Sequence, residues 1–97
     1  KAIELNPKDA DAHYYLGYAY LHQDKLNEAE KELEKAVEID PRYAMAYHLQ
    51  AVVMAAKNDF AAAIKSEQQA IALEPDNVQF KSSLKKFQSN SGSKTGK

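Results

Sequence analysis

Ala36-Val37-Glu38-Ile39-Asp40-Pro41 occurs in three versions along this chain. Ala2-Ile3-Glu4-Leu5-Asn6-Pro7 and Ala70-Ile71-Ala72-Leu73-Glu74-Pro75 share its form: Ala, a β-branched residue, a spacer, an aliphatic, a polar residue and Pro. Pro7, Pro41 and Pro75 are evenly spaced and are the only prolines present. Each block reads as the last turn of a helix, because proline has no N–H and disfavours the α region in the residue before it. A helix stop that returns at a fixed interval implies one supersecondary unit used repeatedly.

The segments between the stops carry a helical period. Ala10–His22 reads as a first helix, with Asp9 placed to cap it and Ala12, Tyr15, Leu16, Ala19 and Tyr20 as its core stripe. Gly17 lies beside that stripe, where it would let another helix backbone come close. Gln23-Asp24-Lys25 is a tight turn. Leu26–Ile39 follows as a second helix, packing through Leu26, Ala29, Leu33, Ala36 and Val37 and showing water a Glu/Lys-rich back. The same order then returns as Ala44–Ala56, a turn at Asn58-Asp59, and Phe60–Leu73. A last helix is expected over Asn77–Gln88 with a stripe of Phe80, Leu84 and Phe87. Lys85 falls where Gly17 and Ala51 stand in the earlier units, and such a cation is expected to end the array under a polar cap. Ser89–Lys97 is Ser/Gly/Lys-rich and is expected to be a disordered tail. The chain opens inside a helix-ending block without an initiator Met, and the expectation is that it was cut from something longer.

This order of helix, short turn, helix and Pro resembles the tetratricopeptide repeat. The first unit reads His13-x₂-Leu16-Gly17-x₂-Tyr20, Ala29-x₃-Leu33, Ala36 and Pro41; the second reads Tyr47-x₂-Gln50-Ala51-x₂-Met54, Ala63-x₃-Glu67, Ala70 and Pro75. Gln50 and Glu67 depart from the family pattern, and an end-of-array position with looser packing is expected for them. The resemblance implies an all-α fold, a short right-handed superhelix (solenoid) of antiparallel helix pairs. It divides the chain into the end of a preceding helix (1–7), repeat one (8–41), repeat two (42–75), a capping helix (76–88) and the tail (89–97).

Composition narrows the function classes. Charged residues make up 28% of the chain and the net charge is −1, so no overall field argues for nucleic acid or membrane. With no cysteine, disulfides and thiolate metal sites are excluded and the redox compartment stays open. No apolar run approaches the roughly 20 residues of a membrane span. His13, His22 and His48 lack metal-ligand spacing, and Glu30, Glu34 and Glu38 line a solvated face without a pocket. No nucleophile sits in a suitable context, and the Gly92–Lys97 run has the wrong spacing for a phosphate loop. The lysines of the C-terminal end lack interleaved aromatics, so nucleic acid is not indicated there either. Neither an enzyme nor a cofactor or metal site is expected.

The first helices carry a second apolar line. In repeat one it is Tyr14, Tyr18 and Leu21; in repeat two it is Met45, His48, Val52 and Ala55. A helix apolar on two sides is either buried on both or presented to a partner. In tetratricopeptide arrays this line faces the concave groove. The resemblance therefore implies a non-catalytic scaffold that binds a peptide or helix of another protein through Asp11, Tyr14, Tyr18, Leu21, His22, Met45, His48 and Val52. The alternative for these side chains is packing on neighbouring helices within the array. Some family members hold acidic chaperone tails through Lys, Asn and Arg on this line. The corresponding Tyr14, Tyr18, Leu49, Gln79 and Ser83 supply no cation, so an aliphatic or aromatic segment suits the groove better. The competing expectation is self-association: residues 1–40 hold ten acidic and five basic side chains and residues 41–97 four and eight, so the two ends are complementary for head-to-tail stacking into a homo-oligomer.

Overall fold

The computed structural model describes residues 9–95, with side chains through residue 90. Five helices follow one another: α1 (Ala10–His22), α2 (Leu26–Ile39), α3 (Ala44–Ala56), α4 (Phe60–Leu73) and α5 (Val78–Thr95). No strand occurs among the described residues, and the helices stack into an elongated helical-repeat array of 53 × 29 × 17 Å. The opening block at residues 2–7 lies outside them.

Local chemistry marks each boundary. Asp9 caps α1, its Oδ1 accepting from the backbone N–H groups of Asp11 and Ala12. Asp59 does the same for α4 through the N–H of Ala62. The turns within the two helix pairs are made by Asp24 and Asn58, equivalent positions of the two repeats, with φ of 64° and 67°. That left-handed conformation is one Asp and Asn tolerate better than most side chains. α2 and α4 end on Asp40 and Glu74, each donating its N–H back to the alanine four residues earlier, and the following proline stops the helix.

Packing proceeds pair by pair. α1 meets α2 across Gly17, where an added Cβ would stand 2.8 Å from Leu33 Cγ and 3.4 Å from the Ala29 carbonyl oxygen. Tyr14, Ala29, Leu33, Ala36, Ala46, Leu49 and Val53 form one buried cluster joining α1, α2 and α3. Ala44, Ala70 and Phe80, and then Ala51, Ala63 and Phe87, continue the core through α4 to α5. Polar ties reinforce the stack: His13 Nδ1 lies 2.7 Å from Glu32 Oε1, and Lys57 Nζ donates to Glu30 Oε1 and Asn27 Oδ1.

Three expectations are corrected. Tyr15, Leu16 and Ala19, read as core, are exposed, Tyr15 by 63% and Leu16 by 44%. In the next repeat Leu49 and Val53, the counterparts of Tyr15 and Ala19, are buried because α2 packs on them; no described helix precedes α1 to do the same. Glu67 is not in loose packing: it is fully buried. Finally, α5 does not stop at Gln88 but continues to Thr95, so the backbone through that residue is helical rather than a disordered tail. No proline interrupts this stretch, and its one glycine costs a helix only about 1 kcal/mol.

Candidate functional site

A depression of about 340 Å³ opens where α1, α3 and α5 converge, lined by Tyr14, Tyr15, Tyr18, Met45, His48, Leu49 and Gln79. α1 and α3 lead the two pairs and α5 follows them, and the constant repeat interval stacks equivalent turns side by side. A larger hollow of about 430 Å³ along α5, lined by Val78, Lys81, Ser82, Leu84 and Lys85, belongs to one helix alone and gathers no convergent groups.

α1 contributes the aromatic wall. Tyr14 is 9% exposed, edge-on to Tyr15 at 5.1 Å between ring centroids and 5.2 Å from Tyr43 on α3's N-terminal side. Burial pushes the Tyr14 phenol above its ordinary pKa, and repulsion from Tyr15 and Tyr18 adds to this. Tyr18 is 46% exposed and packs edge-on against His22 at 4.5 Å. The Tyr43 hydroxyl donates to Asp11 Oδ1 at 2.6 Å. Burial raises the Tyr43 phenol far above its usual range, and the hydrogen bond to the Asp11 carboxylate raises it further.

α3 contributes Met45 and Leu49, with His48 between them. His48 is 7% exposed and its Nδ1 lies 3.0 Å from both carboxylate oxygens of Glu67 on α4. The imidazole stacks on Phe80 of α5 at 5.0 Å and 28°. A buried carboxylate is costly unless paired, and this ring is its partner.

Of the residues expected from the sequence, Tyr14, Tyr18, Met45 and His48 line the depression together. Asp11 and His22 sit beside it, engaged by Tyr43 and Tyr18. Leu21 and Val52 instead pack against the core cluster of α1, α2 and α3. Tyr15 was read as core yet lines the depression, as do Leu49 and Gln79, which entered only through the family comparison. The charge-bearing partner of His48 was visible only as a departure from pattern at residue 67. Among the described residues no group of three metal-ligating side chains converges, and no helix is long and apolar enough to cross a membrane.

Two sequence models, each described as tetratricopeptide repeat, match residues 1–31 and 28–78. The chain belongs to the tetratricopeptide repeat family. No curated protein matches it in sequence. Among solved structures, two crystal structures of MamA superpose with a TM-score of 0.86 at 25% identity over 91% of this chain. The chain spans about half of their length, 52% and 48%. The first tetratricopeptide unit of Spaghetti (RPAP3), solved bound to the HSP90 peptide SRMEEVD, superposes with a TM-score of 0.83 at 24% identity, over 87% of this chain and 67% of that one. The fold is thus a helical-repeat solenoid of the family that the evenly spaced prolines and their flanking helices resemble.

Proposed function

We propose that this tetratricopeptide chain is a non-catalytic scaffold that docks a short segment of another protein in the depression between α1, α3 and α5. The observation that carries this reading is the lining itself: three tyrosines, a methionine and a leucine gathered from two helices around one hollow, with Tyr18 and Met45 left exposed. Tyrosine supplies large contact area at small entropic cost, and is common where interfaces concentrate their energy. Family membership supports a protein partner. No lysine or arginine lines the hollow, so an acidic tail of the kind bound by the RPAP3 unit is a poorer fit than an aliphatic or aromatic segment. So few contacts suit a micromolar affinity, about −8 kcal/mol.

A random peptide library panned on the chain supplies probes. Selected peptides should shift the amide resonances of Tyr18, Met45 and Gln79, and the Tyr18→Ala, Met45→Ala double variant should lose them. Shifts confined to α2 or α4 would overturn the reading.

A second reading, self-association, is favoured by the face of α1 that is exposed among the described residues, with Tyr15 and Leu16 on it. Ala12, Tyr15, Leu16 and Ala19 are the first-repeat equivalents of Ala46, Leu49, Gln50 and Val53, the face of α3 that receives α2. A second copy laid there would extend the array. Light scattering over a hundredfold concentration range discriminates: a constant monomer mass argues against assembly, and a rising mass that Leu16→Glu abolishes supports it.

A further inference from the structure

His48 and Glu67 occupy the positions that Tyr14 and Leu33 hold in the preceding unit, each one repeat further along the chain. In the first unit the pair is an aromatic against an aliphatic, buried in one apolar cluster. In the second, both members are replaced together by hydrogen-bonding groups, and Glu67 is buried completely. Either replacement alone would strand a polar group in the core. The pair is therefore one device, and half of it faces the depression.

With Glu67 ionised its two oxygens only accept, and the imidazole nitrogen 3.0 Å from both is then the donor. With Nδ1–H committed to Glu67, the neutral ring has its lone pair on Nε2. Stacking on Phe80 holds the ring plane, and turning the ring over would take the donor from a buried charge. From this geometry we infer that Glu67 sets the specificity of the depression: it fixes His48 so that Nε2 is a hydrogen-bond acceptor among apolar side chains. The segment bound there brings an N–H or O–H donor beside an aromatic or aliphatic group. This inference rests on the groove reading above and names the chemistry of its ligand. Glu67 is a positioning residue, acting on the ligand through His48.

The test uses phenol and anisole, two probes of similar shape of which only the first donates. Long-range ¹⁵N spectra read the protons on the ring directly. The expected result is one proton on Nδ1 in the free protein, with phenol bound roughly fivefold more tightly than anisole, the usual scale of one net hydrogen bond. The His48→Phe, Glu67→Leu double variant restores an apolar pair of the kind in the first unit and should fold; in it the two probes should bind equally. Glu67→Gln, which can donate to Nδ1 instead, should shift protons toward Nε2 and weaken the preference for phenol. A proton on Nε2 in the unsubstituted protein, or equal binding of both probes near Tyr18 and Met45, would overturn the role of Glu67 and leave the groove standing. If neither probe moves any residue lining the depression, the groove reading falls and this inference with it.

Discussion

At the scale of single residues, the molecule turns on where polar atoms are buried. Glu67 has no exposure, and its stability depends on His48. Glu67→Leu alone should destabilise by about 2–3 kcal/mol, because the imidazole loses its partner in the core. Adding His48→Phe should recover much of that, giving a coupling of about 1–2 kcal/mol in a urea-denaturation cycle. Additive single effects would show that the two side chains do not depend on each other. Tyr43 makes a prediction in pH. Its folded pKa is raised by burial and then by its bond to Asp11, so the folded state holds the phenolic proton more tightly than the unfolded chain. The resulting stability is fully present below the unfolded value of about 10 and is lost as pH rises through the folded one. Urea midpoints should therefore fall from about pH 10 upward, and Tyr43→Phe should flatten that fall. An unchanged slope in the variant would assign the loss to other groups. Residue-level legibility was mixed: Glu67 stood out as a departure from the repeat pattern but suggested looser packing, and nothing in the linear pattern tied it to His48 on the preceding helix.

At the scale of elements, boundaries were the most legible feature. α1 to α4 begin and end where caps, turn residues and prolines place them, since those signals act within a few residues of chain. Asp24 and Asn58 hold left-handed backbone in the two turns. Asp24→Ala should cost about 1 kcal/mol and Asp24→Gly should cost less, as read by thermal unfolding. Equal effects would mean that the turn is not strained. Gly17 is the close-packing point of α1 on α2, and its missing Cβ is what lets Leu33 in. Gly17→Ala gains helix propensity but drives Leu33 Cγ from a 2.8 Å approach, and the net loss should be about 1 kcal/mol. A stabilised variant would show that Leu33 gives way freely. The last helix was less legible. A Ser/Gly/Lys composition reads as tail, yet without a proline nothing in it forces α5 to stop before Thr95.

At the scale of the whole molecule, periodicity carried the fold because each unit contacts only its neighbours, so one repeated signal specifies the array. The same property explains what the pattern misplaced. Which face of a helix is buried depends on whether a neighbour exists to cover it, and no described helix precedes α1 to cover Tyr15 and Leu16. Tyr14 and His48, candidate anchors from the sequence, are largely buried and show the depression only part of their surface; Tyr15, Tyr18 and Met45 are its more accessible members. The most direct check on docking in this depression is the dissociation constant of a library-selected peptide, measured by fluorescence anisotropy against the unsubstituted chain and the Tyr18→Ala, Met45→Ala variant. A loss of roughly tenfold or more, about 1.4 kcal/mol, with the melting temperature nearly unchanged, is the result expected. The same affinity for both proteins would contradict it.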